Sequence, residues 1–237
     1  MEHIFLAAGV RTASKTLKVR LEHFLRTDCH NLKRGGGIGH LIPDVTPHLH
    51  PSLGLSIKKL KTRLLGGSEF YYQQLFPTEY NLSVIGRIMP VEKTKFIVTT
   101  RNIFQIADSL KRAHKKSGKT GFFEFKSTIV DRRREFFFEE DFNILDIMLV
   151  INFYALWFDL ALRSELDILF VDYDDIVNPD QTKVNHCLSS FLDDNVTLVG
   201  RLVSAFGENP ETISERAKNQ IIEYAGKFDV NFDRIGL

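Results

Sequence analysis

Short apolar runs alternate with amphipathic stretches along most of the chain. Four of these runs are rich in β-branched and aromatic residues and predict strands at residues 4–8, 69–75, 95–100 and 167–173. Helical spacing follows the first and third runs. Strand, loop and helix in repetition is typical of a parallel sheet with crossover helices. The pattern therefore predicts an α/β fold with a central parallel sheet flanked by helices.

Two helices are predicted from the positions of their apolar residues. Each set shares one helical face, the first after the opening run and the second after the third run: Leu17, Leu21, Phe24 and Leu25, then Ile103, Ala107 and Leu110. Residues 147–158 form a nearly uncharged apolar run that is too short to span a bilayer, so we expect a buried helix there. We interpret its aromatic residues as core rather than as a pocket wall: Phe153, Tyr154, Trp157 and Phe158.

Composition and charge limit the classes of protein to consider. With 237 residues, of which 43% are hydrophobic, the chain can bury a sizeable core, and we expect one domain over residues 1–237. A formal net charge of +1 argues against broad nucleic-acid or membrane binding. Cys29 and Cys187 lie far apart without a metal-ligand pattern, and residues 4–8 lack the features of a signal peptide. These observations predict a cytoplasmic protein without a metal site.

The first predicted strand leads into a loop suited to an anion. Gly9 is followed by four residues and then by Ser14-Lys15-Thr16, which is one glycine short of the G-x-x-x-x-G-K-[ST] phosphate loop. A turn between a buried strand and a helix directs unpaired backbone N–H groups and the positive end of the helix dipole at one point. We therefore expect a phosphate or sulfate group at this loop.

A second anion site is predicted after the third strand. Arg101 ends that strand and Ser109 follows two helical turns later. An arginine fork and a hydroxyl in this arrangement can converge on a second phosphate, which indicates a doubly phosphorylated nucleotide. Asp172, at the end of the fourth strand, offers the alternative of a magnesium-binding acid for ATP.

Several stretches resemble the sulfotransferase family in the order in which that family carries them. "AAGVRTASKTL" resembles the family's 5′-phosphosulfate loop, G-x-P-R-S-G-T/S-T-x-L, and "TTRNIFQIADSL" resembles its 3′-phosphate motif, R-N-P-x-D-x-x-x-S. Residues 173–176, "YDDI", stand where the family has Tyr-Glu-Asp-Leu, and the tail "EYAGKFDVNFDRIGL" is similar to that of some microbial members. The resemblance implies a three-layer fold like that of P-loop NTPases and a donor, 3′-phosphoadenosine 5′-phosphosulfate (PAPS).

The resemblance also implies which residues hold this donor. Its 5′ end would lie against the loop and its 3′ phosphate against the second motif, with a remnant of the family's C-terminal lid: Arg11, Thr12, Ala13, Ser14, Lys15 and Thr16, then Arg101 and Ser109, then Arg201. A fixed cation stabilises the charge that grows on the bridging oxygen as the sulfuryl group leaves. Arg11 is the first candidate for that cation and Lys15 the second.

The catalytic base is where the sequence departs from the family. In "FYYQQLFPTEYN", the place of the family's histidine is taken by Gln73, Gln74 and Leu75, and glutamine cannot act as a base. Replacement candidates are His40, which we take first, and three others: His48, His50 and Glu79.

Three functions are compatible with the sequence. The first is transfer of a sulfuryl group from PAPS to a hydroxyl or amine of an acceptor, which could be a glycan, a lipid or a small molecule. The second is a nucleotide kinase or ATPase with a degenerate loop and Mg²⁺ on Asp172. The third is a sulfotransferase-fold protein that binds its ligand without turnover. The sequence predicts neither the acceptor nor the oligomeric state.

Overall fold

The computed structural model describes residues 3–9, 11–26, 30–31, 70–73, 76–77, 79–86, 89–117, 144–163, 165–198 and 213–237. The strands in these ranges are β1 (His3–Ala7), β2 (His30–Asn31), β3 (Phe70–Gln73), β4 (Thr94–Thr100) and β5 (Asp167–Asp172). The α-helices are α1 (Ser14–Leu25), α2 (Glu79–Gly86), α3 (Ile103–Ser117), α4 (Ile144–Arg163), α5 (Tyr173–Val177), α6 (Thr182–Leu192) and α7 (Glu215–Ala225). Short 3₁₀ turns lie at Val91–Lys93 and Asp233–Ile235.

The five strands form one parallel sheet in the order β2-β3-β1-β4-β5. β1 lies at the centre, with Ala7 beside Gln73 of β3 on one side and beside Val98 of β4 on the other. All four predicted strands are present, within one or two residues at each end. The parallel pairing, with helices flanking the sheet, confirms the predicted α/β class. The two-residue strand β2 was not predicted.

The described residues group into two compact units. The first draws on residues 1–100 and 156–205, and it contains the sheet. The second draws on residues 101–155 and 206–237. Each unit combines an earlier and a later part of the chain. The expectation of one domain over residues 1–237 stays a prediction.

One face of the sheet in the first unit is covered by α1, α5 and α6. Alternate residues of the strands point to this face because successive strand side chains point to opposite sides. The buried cluster contains strand residues Leu6, Phe70, Tyr72, Ile97 and Val171 together with helix residues Leu17, Leu21, Ile176, Val184 and Leu188. The predicted apolar face of the first helix is thereby confirmed.

A buried arginine fixes α1 to the turn between α5 and α6. Arg20 Nη1 donates to the carbonyl oxygen of Ile176 at 2.9 Å and to Oε1 of Gln181 at 2.7 Å. Burial lowers the pKa of the Arg20 guanidinium from its usual value. Its two hydrogen bonds satisfy a carbonyl in the last turn of α5, where intrahelical donors run out.

The opposite face of the sheet is aromatic and packs against the second half of α4. Phe5 lies between Tyr71 and Phe96 on the neighbouring strands, at ring-centroid distances of 6.4 and 5.7 Å. Phe96 contacts Trp157 at 5.5 Å, and Trp157 is fully buried. Helices therefore lie on both faces of the sheet within this unit, as the predicted three layers require.

Further aromatic residues of α4 confirm the interpretation of this helix as core. Phe158 contacts Phe170 of β5 at 5.0 Å. Within the second unit, Phe153 and Tyr154 are buried and meet edge to face at 5.3 Å. All four predicted core aromatics are thus buried rather than exposed in a pocket wall.

The second unit contains α3, the first half of α4, α7 and the C-terminal turn. The predicted apolar face of α3, Ile103, Ala107 and Leu110, is fully buried. Nδ2 of Asn152 on α4 donates to the carbonyl of Met148 at 2.9 Å and to the hydroxyl of Tyr224 on α7 at 2.8 Å. In the parts of the chain that the structure describes, no helix combines the length and apolar character needed to cross a bilayer.

Candidate anion site

The candidate site begins where the sheet changes its direction of winding. From β1 the chain continues toward β3 and β2, whereas from β4 it continues toward β5 on the other side. Connections that leave neighbouring strands in opposite directions open a crevice at the carboxyl ends of those strands, and ligands of open α/β sheets bind in such crevices. The loop after β1 and the end of β4 meet at this point.

Four polar groups of three residues, Gly9, Thr12 and Thr99, link that loop to β4 in a closed ring of hydrogen bonds. The Gly9 N–H donates to Oγ1 of Thr99 at 3.0 Å, and the Thr12 hydroxyl donates to the Gly9 carbonyl at 2.8 Å. The two threonine hydroxyls are 2.6 Å apart. Since a hydroxyl has one hydrogen and that of Thr12 is committed to Gly9, Thr99 donates to Thr12. The ring fixes the start of the loop, and Thr12 contributes to it through its buried hydroxyl.

The loop holds two non-glycine residues in the left-handed region. Arg11 has φ of 58° and Ala13 has φ of 55°, whereas Thr12 between them does not have positive φ. Alternation of left- and right-handed residues directs successive backbone N–H groups into a concavity that accepts an anion. Left-handed backbone costs about 1–2 kcal/mol for a residue with a Cβ. Such strain is typical of ligand-binding loops.

The N-terminus of α1 lacks the features that usually neutralise a helix start. Its N-cap residue is Ala13, whose side chain accepts no hydrogen bond, and no acidic residue lies in the first turn. The first N–H groups of a helix have no intrahelical acceptors, and they carry the positive end of the helix dipole. Lys15 adds an exposed cation beside this end, and Thr16 is half-buried. The start of α1 is therefore electrostatically suited to an anion.

Ser14 occupies the place where a phosphate loop has glycine, and its side chain faces inward. It is buried, with Oγ 3.3 Å from the hydroxyl of Tyr72 on β3. The side chain of Ser14 is therefore directed toward β3 and the interior. Ser14 in place of glycine is compatible with the anion-binding arrangement.

The second predicted anion motif lies in the second unit. Arg101 comes directly after Thr100, the last residue of β4, and its Nε donates to Oε1 of Gln105 at 3.1 Å. Gln105 holds the position of the family motif's aspartate. Ser109 is buried on α3, about 12 Å along the chain from Arg101 at 1.5 Å per residue. The long Arg101 side chain would have to span much of that distance for both residues to hold one phosphate.

Asp172, the candidate magnesium ligand, lies away from the loop. It ends β5, its register partner is Thr100 of β4, and its carboxylate accepts a hydrogen bond from the Thr100 hydroxyl. Two strand spacings separate β5 from β1, which amounts to about 10 Å. Two strand ends lie beside the loop: that of β3, where Gln73 pairs with Ala7, and that of β4, where Thr99 accepts the hydrogen bond from Gly9.

Three of the four candidate bases lie outside the described residues: His40, His48 and His50. Gln74, Leu75 and Arg201, the residue predicted to belong to a lid, also lie outside them. Glu79 is described, and it is the exposed first residue of α2. Among the described residues, no group of three or more His, Cys, Asp or Glu side chains is placed to hold a metal ion.

Sequence reasoning missed two residues that shape the site, Thr99 and Tyr72. Thr99 closes the hydrogen-bonded ring, and the pair of threonines that ends a fully buried strand was the available signal. Tyr72 lies on β3, and its hydroxyl contacts that of Ser14 at the start of α1. No local sequence pattern indicates this contact. No protein-family model matches the chain, and no curated protein matches it either.

Proposed function

We propose that the protein is a PAPS-dependent sulfotransferase that transfers a sulfuryl group to a hydroxyl or amine. The observation that carries the proposal is the loop between β1 and α1. It holds Arg11 and Ala13 in the left-handed region and leads into the uncapped start of a helix, at the switch point of a parallel sheet. Such a loop can turn successive N–H groups toward one anion. We assign the phosphosulfate end of the donor to this loop, and the assignment of the rest of the nucleotide comes from the sequence resemblance.

The arrangement of acids favours phosphosulfate over a magnesium nucleotide. A P-loop kinase or ATPase holds Mg²⁺ through an acidic side chain close to its phosphate loop. Here the two strand ends beside the loop carry Gln73 on β3 and Thr99 on β4. Asp172 lies two strands from β1, and its carboxylate accepts a hydrogen bond from Thr100. As far as the described residues go, the kinase alternative therefore has less support than transfer from a donor that needs no metal.

The reaction assigned to the site is an in-line displacement at sulfur. The acceptor oxygen or nitrogen forms a bond to sulfur, and the bond from sulfur to the bridging oxygen of the phosphosulfate breaks. The electron pair of that bond stays on the bridging oxygen, and adenosine 3′,5′-bisphosphate leaves. Arg11, Lys15 and the loop N–H groups would stabilise the negative charge on this oxygen. The acceptor's proton would pass to a base, for which His40 is our candidate.

The 3′ phosphate of the nucleotide would lie against Arg101 and Ser109. Arg101 is oriented by the hydrogen bond that its Nε donates to Gln105. An arginine fork binds phosphate through two parallel hydrogen bonds, which a lysine cannot reproduce. Recognition of the 3′ phosphate would separate this nucleotide from ATP.

Calorimetric titration tests the nucleotide assignment. We expect adenosine 3′,5′-bisphosphate to bind more tightly than ATP with Mg²⁺, and Arg101→Ala to weaken bisphosphate binding by about tenfold or more. Arg216→Ala is the matched control, because Arg216 is an exposed arginine on α7 of the same unit. Equal affinities of the wild type and Arg101→Ala for the bisphosphate would show the assignment to be wrong.

Turnover needs a separate experiment, because binding alone also fits a protein of this fold without activity. Labelled PAPS is incubated with the protein and a mixed extract of glycans and lipids, and we expect label to appear in the acceptor fraction. The Arg11→Ala variant should lose most of this transfer. Tight bisphosphate binding without any transfer to the extract would favour the non-catalytic alternative.

A further inference from the structure

The turn at residues 233–236 lies against Asn102, the residue that caps α3. Gly236, next to the last residue, has φ of 77°, a left-handed conformation that side chains rarely adopt. A Cβ at this position would lie 3.1 Å from Cγ of Asn102 and closer still to its Nδ2. Asn102 directly follows Arg101, so the chain end touches the residue beside the proposed phosphate ligand.

Asn102 cannot easily move away from Gly236. Its Oδ1 accepts hydrogen bonds from the backbone N–H groups of Phe104 at 3.0 Å and Gln105 at 3.3 Å, so it caps α3. Rotation of the Asn102 side chain would break this cap. Gln105 also accepts the hydrogen bond from Arg101, so a disturbed cap would reach the guanidinium through the first turn of the helix.

The same C-terminal segment holds α3 a second time, beside Ser109. The Ile213 N–H donates to Oδ1 of Asp108 at 3.1 Å, and Asp108 is the residue before Ser109. Between these two attachments the segment forms α7, which starts at a side-chain cap from Ser214 to Ala217. The hydrogen bond from Asn152 to Tyr224 ties α7 to α4 within the unit.

We infer that residues 213–237 position both proposed 3′-phosphate ligands, Arg101 and Ser109, through Gly236 against Asn102 and through Ile213 bonded to Asp108. Gly236 and Asp108 are the positioning residues that the test changes. One attachment lies beside Arg101 and the other beside Ser109, and these are the two ends of the proposed 3′-phosphate site. The inference rests on the proposed function, because it gives a role to the same two ligands. It adds that selectivity for the 3′ phosphate depends on residues 213–237.

The test measures that selectivity rather than stability alone. Calorimetry compares adenosine 3′,5′-bisphosphate with adenosine 5′-monophosphate, which lacks the 3′ phosphate. We expect Gly236→Ala to weaken bisphosphate binding by about tenfold and to change monophosphate binding by about twofold or less. Gly226→Ala is the control, because the nearest atoms to a Cβ there lie at 3.5 Å, an ordinary contact, and its φ of −62° suits alanine. This control should leave both affinities unchanged.

A rescue variant separates positioning from general damage. Asn102→Ser keeps a capping hydroxyl and removes the atoms that a Cβ on residue 236 would meet. We expect the combination with Asn102→Ser to restore part of the bisphosphate affinity of Gly236→Ala, because it removes the contact with Asn102 while the left-handed strain at residue 236 remains. If Gly236→Ala fails to fold, Asp108→Ala decides the matter. It should cause the same selective loss, whereas Asp108→Asn keeps an oxygen for the Ile213 N–H and should not.

The outcomes distinguish this inference from the proposed function. If the wild type binds the bisphosphate no better than the monophosphate, the proposed function is wrong. If the wild type discriminates and Arg101→Ala does not, but Gly236→Ala and Asp108→Ala both behave like their controls, the proposed function stands. The positioning role is then wrong. Equal losses for both nucleotides in Gly236→Ala and Asp108→Ala would also overturn the positioning role.

Discussion

Replacement of Ala13 by glycine tests whether the loop is strained. Ala13 has φ of 55° and ψ of 17°, and it is the N-cap of α1. Most residues with a Cβ avoid this region because the Cβ crowds the following carbonyl oxygen. Glycine adopts it freely, so Ala13→Gly removes the strain without a change in backbone path. Ala8, five residues earlier, is buried and does not have positive φ, and it provides a matched control.

The two variants should change the free energy of unfolding in opposite directions. Relief of left-handed strain at Ala13 stabilises by about 1.5 kcal/mol. Against this, glycine in the unfolded chain costs about 0.7 kcal/mol, and the partly buried methyl against the core cluster costs about 0.4 kcal/mol. The free energy of unfolding of Ala13→Gly should therefore rise by about 0.4 kcal/mol. Ala8→Gly has no strain to relieve, so the entropy and a fully buried methyl together cost about 1.5 kcal/mol or more.

The assay uses urea denaturation followed by the fluorescence of Trp157, which is the protein's single tryptophan and is fully buried. A difference of about 2 kcal/mol between the two variants corresponds to about 1 M urea in the midpoint at a slope of about 2 kcal/mol per M. We expect Ala13→Gly to unfold at or slightly above the wild-type midpoint. A midpoint as low as that of Ala8→Gly would refute the strain argument.

Three further substitutions follow from contacts of the described residues. Thr99→Val removes the acceptor of the buried Gly9 N–H and should destabilise by about 2 kcal/mol in urea denaturation, while Thr99→Ser should be close to wild type. Arg20→Met leaves the Ile176 carbonyl without its donor and should cost about 2–3 kcal/mol; a change under about 0.5 kcal/mol would contradict a structural role for Arg20. Burial raises the pKa of Asp108 above its ordinary value of 3.8, although its backbone hydrogen bond and nearby cations act the other way. The folded state therefore binds this proton more tightly than the unfolded state, and the resulting stability is lost as pH rises through the folded pKa. Asp108→Asn should gain stability relative to wild type as pH rises from about 3 to about 6, and a flat difference over that range would argue against this sign.

The architecture could be predicted from the sequence because its signals are local. Each main strand is a short apolar run, and α1 and α3 carry apolar residues at helical spacing that the structure buries. Repetition of strand and helix then restricts the sheet to parallel pairing. β2 has two residues, His30–Asn31, which is too short for any periodicity to mark. Its position at the sheet edge comes from pairing with β3.

The geometry of the candidate site could be predicted only in outline. The glycine-containing turn before a helix indicates an anion loop, but the sequence places no glycine at residues 11 or 13, where the backbone is left-handed. Nothing local predicts that conformation for Arg11 and Ala13. The contact that holds the start of this loop against β4 is made by Thr99, which lies 90 positions from the Gly9 N–H that it accepts. Contacts of such sequence separation are set by the order of strands in the sheet, and composition and periodicity do not encode that order.

The conformation of Arg11 bears on the role assigned to it. Left-handed backbone at residue 11 costs about 1–2 kcal/mol that glycine would not incur, and this cost is borne in the loop next to the uncapped helix start. The strain is understandable if the guanidinium supplies something that glycine cannot. At the mouth of a concavity of N–H groups, a fixed cation strengthens the attraction for an oxyanion and adds hydrogen-bond donors of its own. The backbone strain and the positive charge at residue 11 therefore both support its assignment to the departing phosphate oxygen, and Lys15, on the exposed side of α1, fits the secondary role.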